Sequence, residues 1–508
     1  MAGRLLLPLV FVSGAASLGV EFSASRLLAP YFGTSLYVWG ILIGFVLIYL
    51  SAGYVIGGRL ADRRPDPRLL YQLTAWAGLW VGVVPLLSYP VLLASQRGFA
   101  AVSVGLVAGT LLAVVLLFAV PVTLLGCVSP FAIRLLLLDL ETGGRTAGRV
   151  YALSTAGSIV GTFLPVFWSI PSFGTRATLI GFSALLIAVS LAGMWPRRRG
   201  YWVFAAAVVA AWALLPHGIR PASAGRLLYE TESAYNYIQV VQVGSRRELI
   251  LDEGQAIHSE YDPSSPLTGG YWDYLLLAPY FRHAPPTAPS QVAFIGLAAG
   301  TSATQYREAF GARVGLVGVE IDPAIVAAGR RYFDLGAAHA QVAVADGRYW
   351  LVTRGGHYSA IVVDAYQQPY IPFHLATREF FEAARRHLAP GGVVAVNVGR
   401  TPTDYRLVAA IASTMRPVFP SIFLLDVPGW NNTIVFACTD RVGLGEVESN
   451  LAAAQGPLVG QVAAEALAEG RLRASPYRGQ VFTDDLAPID RLVDEMILEY
   501  AAGPHAGG

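Results

Sequence analysis

The sequence predicts an N-terminal all-α multi-pass membrane domain and a C-terminal α/β Rossmann-like domain preceded by a small β-hairpin cap. Two observations carry this. Residues 5 to 216 hold about seven apolar segments, most of them long enough to cross a bilayer as helices. Between residues 291 and 364, apolar strand-like runs recur, and three of them end in an acid: Glu320, Asp346 and Asp364. Composition agrees. Of 508 residues, 54% are hydrophobic and 14% charged, with a mean hydropathy of +0.51, too apolar for a wholly soluble chain. The expected boundaries are a transmembrane domain at 1–216, a linker at 217–228 containing Pro221 and Gly225, a β cap at 229–285 and a nucleotide-binding catalytic domain at 286–508.

The same composition excludes several classes. A net charge of +2 without a basic-aromatic stripe gives no reason to expect nucleic acid. The chain contains no Lys, which removes Schiff-base chemistry. Cys127 and Cys438 both lie in apolar runs and the His residues are scattered, so neither a disulfide framework nor a metal site is expected.

In the first part the segments run over 5–29, 36–60, 69–94, 101–126, 150–170, 177–195 and 201–216. The last is short, and 127–138 either extends the fourth helix or re-enters the membrane. The first segment continues through Glu21 and Arg26 without a small-residue cleavage site, so a span is expected there rather than a cleaved signal. Glu21 and Arg26 share the first segment five positions apart, outside i, i+4 register; the alternatives are a carboxylate on a cation or substrate path at Glu21, or an interhelical ion pair or an interfacial position. Gly157 and Gly161 form a G-x-x-x-G pair suited to close helix packing. Arginines cluster in alternate connections, at Arg59, Arg63, Arg64 and Arg68, at Arg134, Arg145 and Arg149, and at Arg197, Arg198 and Arg199. The positive-inside rule makes those loops and the N-terminus cytoplasmic. Gly57-Gly58-Arg59-Leu60-Ala61-Asp62-Arg63-Arg64 is also similar to a loop of major-facilitator transporters.

In the second part, alternation predicts strands at Tyr237–Val243 and Glu248–Asp252, closed around Gly244-Ser245. After the Pro-rich 283–289, the run Val292–Ile295 leads into the turn Gly296–Gly300 and a helix from about Thr301. Glycines there let backbone approach a ligand, and Glu320 follows Gly296 at about the spacing at which a nucleotide-binding fold puts an acid on ribose hydroxyls. Strands at 341–345 and 359–363 end in Asp346 and Asp364, and strands at 393–398, 421–427 and 433–438 complete the sheet, the last two as an antiparallel hairpin. Helical patterns follow at 443–469 and 487–501, and Asn431-Asn432-Thr433 reads as a turn rather than a glycosylation site.

Five motifs then stand in order: Ile295-Gly296-Leu297-Ala298-Ala299-Gly300-Thr301, Val319-Glu320-Ile321-Asp322, Asp346-Gly347-Arg348-Tyr349-Trp350-Leu351, Ile361-Val362-Val363-Asp364, and Leu388-Ala389-Pro390-Gly391-Gly392. In that order they resemble the spermidine synthase (polyamine aminopropyltransferase) family, in its branch fused to a multi-pass N-terminal region, and imply a methyltransferase-type fold. The resemblance covers about residues 229–400. It implies that Glu320 holds the ribose and Asp346 the adenine amino group, with Gly296, Gly300, Thr301 and Gly347 also on the cofactor side. It further implies Asp364 as the base that strips a proton from the attacking amine, with Tyr271 beside it, and Tyr237, Gln255, Asp273, Tyr366 and Gln367 on the substrate side. Decarboxylated S-adenosylmethionine would be the co-substrate, without a metal, and an amine such as putrescine the acceptor. A homodimer embedded in a lipid bilayer is expected.

Three departures stand against the pattern. Ala299 replaces the family's acid that grips the aminopropyl amine, Gln367 replaces a second acid, and Trp272 replaces a His. A buried ammonium without a carboxylate costs several kcal/mol, so Glu253, Asp273 and the pair Asp484-Asp485 become candidate replacements. The alternatives are a methyltransferase using S-adenosylmethionine, and a transporter or sensor with a nucleoside-binding domain. The protein is expected in the plasma (inner) membrane. A cytoplasmic donor weakly favours a cytoplasmic catalytic domain, although seven spans with the N-terminus inside would put it outside.

Overall fold

The computed structural model describes residues 5–32, 36–99, 105–137, 141–195, 199–214, 219–220, 222–252, 256–283, 290–354, 356–366, 370–468 and 470–502. The chain divides into two compact units, Met1–Pro221 with Glu230–Tyr237, and Ala222–Tyr229 with Ile238–Gly508.

The first unit is helical: α1 (Leu6–Phe32), α2 (Leu36–Arg63), α3 (Pro67–Phe99), α4 (Gly105–Gly126), α5 (Val128–Leu136), α6 (Gly143–Leu164), α7 (Ile170–Phe173), α8 (Thr175–Gly193) and α9 (Trp202–Ala213). Among the described residues six helical stretches are long and apolar enough to cross a membrane, one of them combining α4 and α5. The 127–138 segment therefore extends the fourth span. α9, expected as a seventh span over 201–216, has 12 residues, or about 18 Å at 1.5 Å per residue.

Small residues set how these helices pack. A Cβ on Gly157 or Gly161 would strike the backbone of Phe11 or Ala15, and one on Gly14 would strike Ser154. α1 and α6 therefore lie backbone to backbone and run the same way, which is what the G-x-x-x-G pair provides. α8 runs against α3, with the Thr74 and Ser190 hydroxyls 2.8 Å apart and Ser183 Oγ donating to Gly78 O at 2.6 Å. α9 runs with α3: the rings of Trp76 and Phe204 lie 4.6 Å apart, and Val208 packs beside Gly82.

These directions gather the end of α2, α5, the start of α6 and the end of α8 at one end of the unit, together with Arg63, Arg64, Arg68, Arg134, Arg145 and Arg149. The other end holds the end of α1 and the start of α8. There Arg26 donates through Nη1 to the carbonyl of Tyr235 at 3.1 Å and through Nη2 to that of Ser233. The Arg26 guanidinium is thus turned toward carbonyls at the helix end. Glu232 accepts from the backbone N and hydroxyl of Thr175 at 2.9 and 3.0 Å, capping α8. Glu230 accepts from the backbone N of Ile219 and Arg220.

The second unit begins with a four-stranded sheet, β1 (Arg226–Glu232), β2 (Tyr237–Val243), β3 (Arg246–Leu251) and β4 (Ile257–Tyr261), in the order β1-β2-β3-β4. The expected hairpin is β2–β3, with Val243 opposite Arg246. After α10 (Tyr271–Leu275) come β5 (Gln291–Ile295), α11 (Thr301–Phe310), β6 (Gly315–Glu320), α12 (Pro323–Tyr332), β7 (Gln341–Val344), α13 (Gly347–Arg354), β8 (Tyr358–Val363), α14 (Arg378–Arg386) and β9 (Leu388–Gly399). α15 (Arg406–Met415), β10 (Ser421–Asp426), β11 (Asn432–Cys438), α16 (Leu444–Ala452), α17 (Val459–Ala466), β12 (Leu472–Ala474) and α18 (Ile489–Ala502) complete it.

The large sheet has the order β12-β10-β11-β9-β8-β5-β6-β7, with β7-β6-β5-β8-β9 parallel and β11 antiparallel to β9 and β10. This is the methyltransferase-type Rossmann arrangement. Alternation along β5 explains why the run is apolar throughout: Val292 and Phe294 enter one core layer with Tyr306, while Ala293 and Ile295 enter the opposite layer with Trp350. The first strand of the sheet, β5, has β6 on one side and β8 on the other, so a crevice opens between β5 and β8 at their carboxyl ends. The Leu388–Gly392 motif starts β9 and does not end a helix, and α16 and α17 divide the 443–469 pattern.

Candidate active site

Asp364 follows β8 at this crevice, its backbone N donating to Ile295 O at 2.9 Å. Gly296 sits directly against it. With φ of +87° and a Cβ position that would overlap the Asp364 carbonyl, the position excludes side chains twice over. The glycine turn and the acid are thus fixed together by backbone sterics. Gly300, with φ of +102°, ends the turn and starts α11.

The Asp364 carboxyl accepts from Asn397 Nδ2 at 2.9 Å and from the Tyr271 hydroxyl. Burial pushes its pKa up to about 6, and the two donors hold it from rising further. Asn397 cannot swap its amide atoms freely, because Asn432 Nδ2 donates to its Oδ1 at 2.9 Å. Burial, and then the neighbouring Asp364, push the Tyr271 hydroxyl far above its usual range, so it stays a neutral donor. Tyr366 donates its hydroxyl proton to Asn397 O at 3.0 Å and accepts from Gly399 N at 2.8 Å.

Glu320, buried at the end of β6, accepts from Ala298 N at 2.9 Å and Asp322 N at 3.0 Å. Burial raises its pKa to about 7, against those backbone donors. Asp346 accepts from Tyr349 N at 2.8 Å and lies 2.9 Å from His374 Nε2. Gly347 opens α13 where a Cβ would press on Ile295. Ala299 donates its N–H to Ser259 Oγ on β4 at 2.9 Å. His258, the residue before, has its pKa pushed down to about 4 by burial, and its Nε2 has no partner among the described residues.

Other expected site residues have different surroundings. The Thr301 hydroxyl both donates to and accepts from the Glu260 backbone at 2.9 Å, fastening α11 to β4. Asp273 accepts from Thr268 N and Oγ1, Gly269 N and Gln305 Nε2, so protein donors already occupy both its oxygens. The Tyr237 hydroxyl donates to Glu230, with Arg220 over its ring at 5.3 Å, in the first unit. Asp484 is held by Arg348 at 2.7 Å through both oxygens and by Thr377. Gln255, Gln367 and Glu253 lie outside the described residues.

Asn397, Asn432, His374, Ser259 and Trp430 were not legible as site residues. Trp430 packs edge-on to the rings of both Tyr271 and Trp272, at 5.9 Å from each. The one available signal was Asn397, a lone polar residue in the apolar run 393–398.

No protein-family model matches the chain. Over 301 residues it is 32% identical to the protein named probable polyamine aminopropyl transferase of Bifidobacterium longum, covering 55% of this chain and 66% of that protein. Over 236 residues it is 28% identical to the polyamine aminopropyltransferase of Vibrio vulnificus, covering 44% and 75%. The chain thus spans about two thirds of the length of the first of these relatives. Among solved structures, the spermidine synthase of Thermotoga maritima aligns at 18% identity and TM-score 0.40, covering 48% of this chain and 84% of that one. A probable spermidine synthase of Corynebacterium glutamicum aligns at 17% and 0.39, covering 51% and 98%. With its motifs in order on this fold, the chain belongs to the polyamine aminopropyltransferase family, a family of transferases.

Proposed function

We propose that the second unit moves an aminopropyl group from decarboxylated S-adenosylmethionine to an amine, with Asp364 as the base. The observation that carries this reading is a buried carboxyl of pKa about 6 at the crevice, ligated only by neutral donors, Asn397 and Tyr271. Such a group is ionised near neutral pH and still basic enough to take a proton from an amine as it attacks. The amine lone pair forms a bond to the carbon attached to sulfonium while the C–S bond breaks. Its electron pair stays on sulfur, methylthioadenosine leaves neutral, and the proton passes to Asp364. The buried Glu320 carboxyl, which has no cationic partner among the described residues, fits the adenosine part of the donor. Glu320 would take the ribose hydroxyls and Asp346 the adenine amino group. A homodimer, as in the expectation above, is part of the same reading.

The test is to incubate the purified full chain in detergent with either donor and a pool of amines, and to identify the released nucleoside by mass spectrometry. Methylthioadenosine from the decarboxylated donor alone supports the reading. S-adenosylhomocysteine moves the protein to methyl transfer, for which Ala299 gives the specific reason, since no acid stands there to hold an aminopropyl ammonium.

We further infer that the first unit spans the membrane with its arginine-rich end in the cytoplasm and that the chain passes to the transferase unit from the opposite end. Residues 219–220 and 230–237 pack at that opposite end, on Arg26 and Thr175. α9, running with α3, supplies the last traverse despite its length. This departs from the weak expectation of a cytoplasmic catalytic domain. A single Cys placed at Ser264, in a Cys-free background, should react with an impermeant maleimide added outside intact cells; labelling only after lysis would reverse the orientation.

A further inference from the structure

A cleft of about 470 Å3 is lined among others by Arg400, Tyr405, Asp426, Trp430 and Arg471. One bonded route and one ring contact join it to the base. Asp364 is bonded to Asn397, Asn397 O to the Tyr366 hydroxyl, and that hydroxyl to Gly399 N, next to Arg400. On the other side, Trp430 touches the Tyr271 ring and forms part of the cleft wall.

The charge of this cleft is the reverse of what a diamine needs. Its single carboxylate, Asp426, is consumed by Arg473 at 2.7 and 3.3 Å, by the Thr433 hydroxyl at 2.6 Å and by the Tyr405 hydroxyl at 3.1 Å. Arg400 is held in place without being neutralised. Its Nε donates to Thr433 Oγ1 at 3.2 Å and its Nη1 to Thr401 O at 3.1 Å, its guanidinium lies 4.8 Å from the Tyr405 ring centre, and Asp426 is no nearer than 3.9 Å. The side chain is only 10% exposed, yet Nη2 has no protein acceptor among the described residues. Arg471 donates to a backbone carbonyl, Glu465 O, and forms no ion pair among the described residues. Two guanidinium groups, Arg400 and Arg471, therefore line one cleft whose single carboxylate, 3.9 Å from Arg400, is already paired with Arg473 at 2.7 Å. Guanidinium groups favour carboxylate and phosphate oxygens, and they repel the distal ammonium of a diamine.

We propose that the acceptor is an amine carrying an anionic group, carboxylate or phosphate, with its nitrogen at Asp364 and its anion on Arg400 and Arg471. This rests on the aminopropyl-transfer reading above and names its acceptor class. The step is unchanged: N–C forms, C–S breaks with its electron pair on sulfur, and the proton goes to Asp364. The absence of acids at 299 and 367 then matches an acceptor that is not a polycation.

The experiment uses the full chain with decarboxylated donor and compares 1,4-diaminobutane, 4-aminobutanoate of the same reach, and phosphatidylethanolamine in vesicles. Methylthioadenosine release gives kcat/KM for each, and thermal shift gives acceptor binding without turnover. We expect one of the two anionic amines to exceed the diamine at least tenfold, the soluble one indicating carboxylate and the vesicle one lipid phosphate. R400Q should reduce that preference ratio and the thermal shift about tenfold in acceptor concentration, and R471Q, at a more exposed position, should do so if R400Q fails to fold. A diamine preferred by both wild type and variants, with donor turnover intact, overturns the acceptor assignment alone. Donor binding without methylthioadenosine from any amine overturns the transfer reading and this inference with it.

Discussion

Asn397 donates its side-chain amide to the Asp364 carboxylate at 2.9 Å, and is itself oriented by Asn432. An uncharged donor holds the carboxylate ionised without the deep pKa depression that an arginine would cause. N397L removes that donor and leaves burial unopposed on this side. The acid limb of kcat/KM should then move up by about one pH unit, with turnover at pH 6 reduced about fivefold. A limb that stays where it is in the wild type would show that Asn397 does not tune the base.

The base itself sets the wild-type profile. With a pKa of about 6, kcat/KM should fall about tenfold per unit below pH 6 and level off above it. D364N should lose about 10²–10⁴-fold in kcat while donor affinity, read by calorimetry, persists. The sign for stability is opposite to that for activity. The folded carboxyl has a pKa raised from its ordinary value of 3.8, so its contribution to stability is full below about pH 3.8 and is lost as pH rises through 6. At pH 8, D364N should therefore be more stable than wild type by on the order of 3 kcal/mol, visible in denaturant unfolding.

Glu320 carries a different dependence. Its carboxyl is raised to about 7 by burial, and hydroxyl donors of a ribose would favour the ionised form. Donor affinity should rise with pH through 7, and E320Q should bind donor about tenfold more weakly and lose that pH dependence. Equal affinity in E320Q would remove Glu320 from the ribose assignment.

In the helical unit, Gly161 faces the Ala15 carbonyl where no Cβ fits. G161L should force α1 and α6 apart and cost about 1–3 kcal/mol, lowering the midpoint of thermal unfolding in detergent. G148L, on the same helix with open space around it, should shift the midpoint little.

Several elements were readable before the fold was known because each depends on local chemistry. The apolar segments report helices long and apolar enough to cross a membrane, the run 292–295 reports a strand covered on both faces, and Gly296 reports a backbone that tolerates no Cβ. The hairpins at 237–251 and 421–438 followed from alternation and their turns. Partners that lie far along the chain were not readable: Thr301 is tied to Glu260, Asp273 accepts from Gln305, and Arg26 reaches residues 233 and 235.

The sequence by itself determined the two-part architecture, the glycine turn and the acids at the ends of β6 and β8, since apolar periodicity and steric freedom are properties of short stretches. Only the tertiary structure decided which groups hold Asp364, which helix ends within the first unit meet residues 219–220 and 230–237, and that Arg400 and Arg471 share a cleft with Trp430. Those outcomes depend on strand order and helix direction, which bring together residues tens to hundreds of positions apart, and electrostatic environment follows spatial neighbours rather than neighbours in sequence.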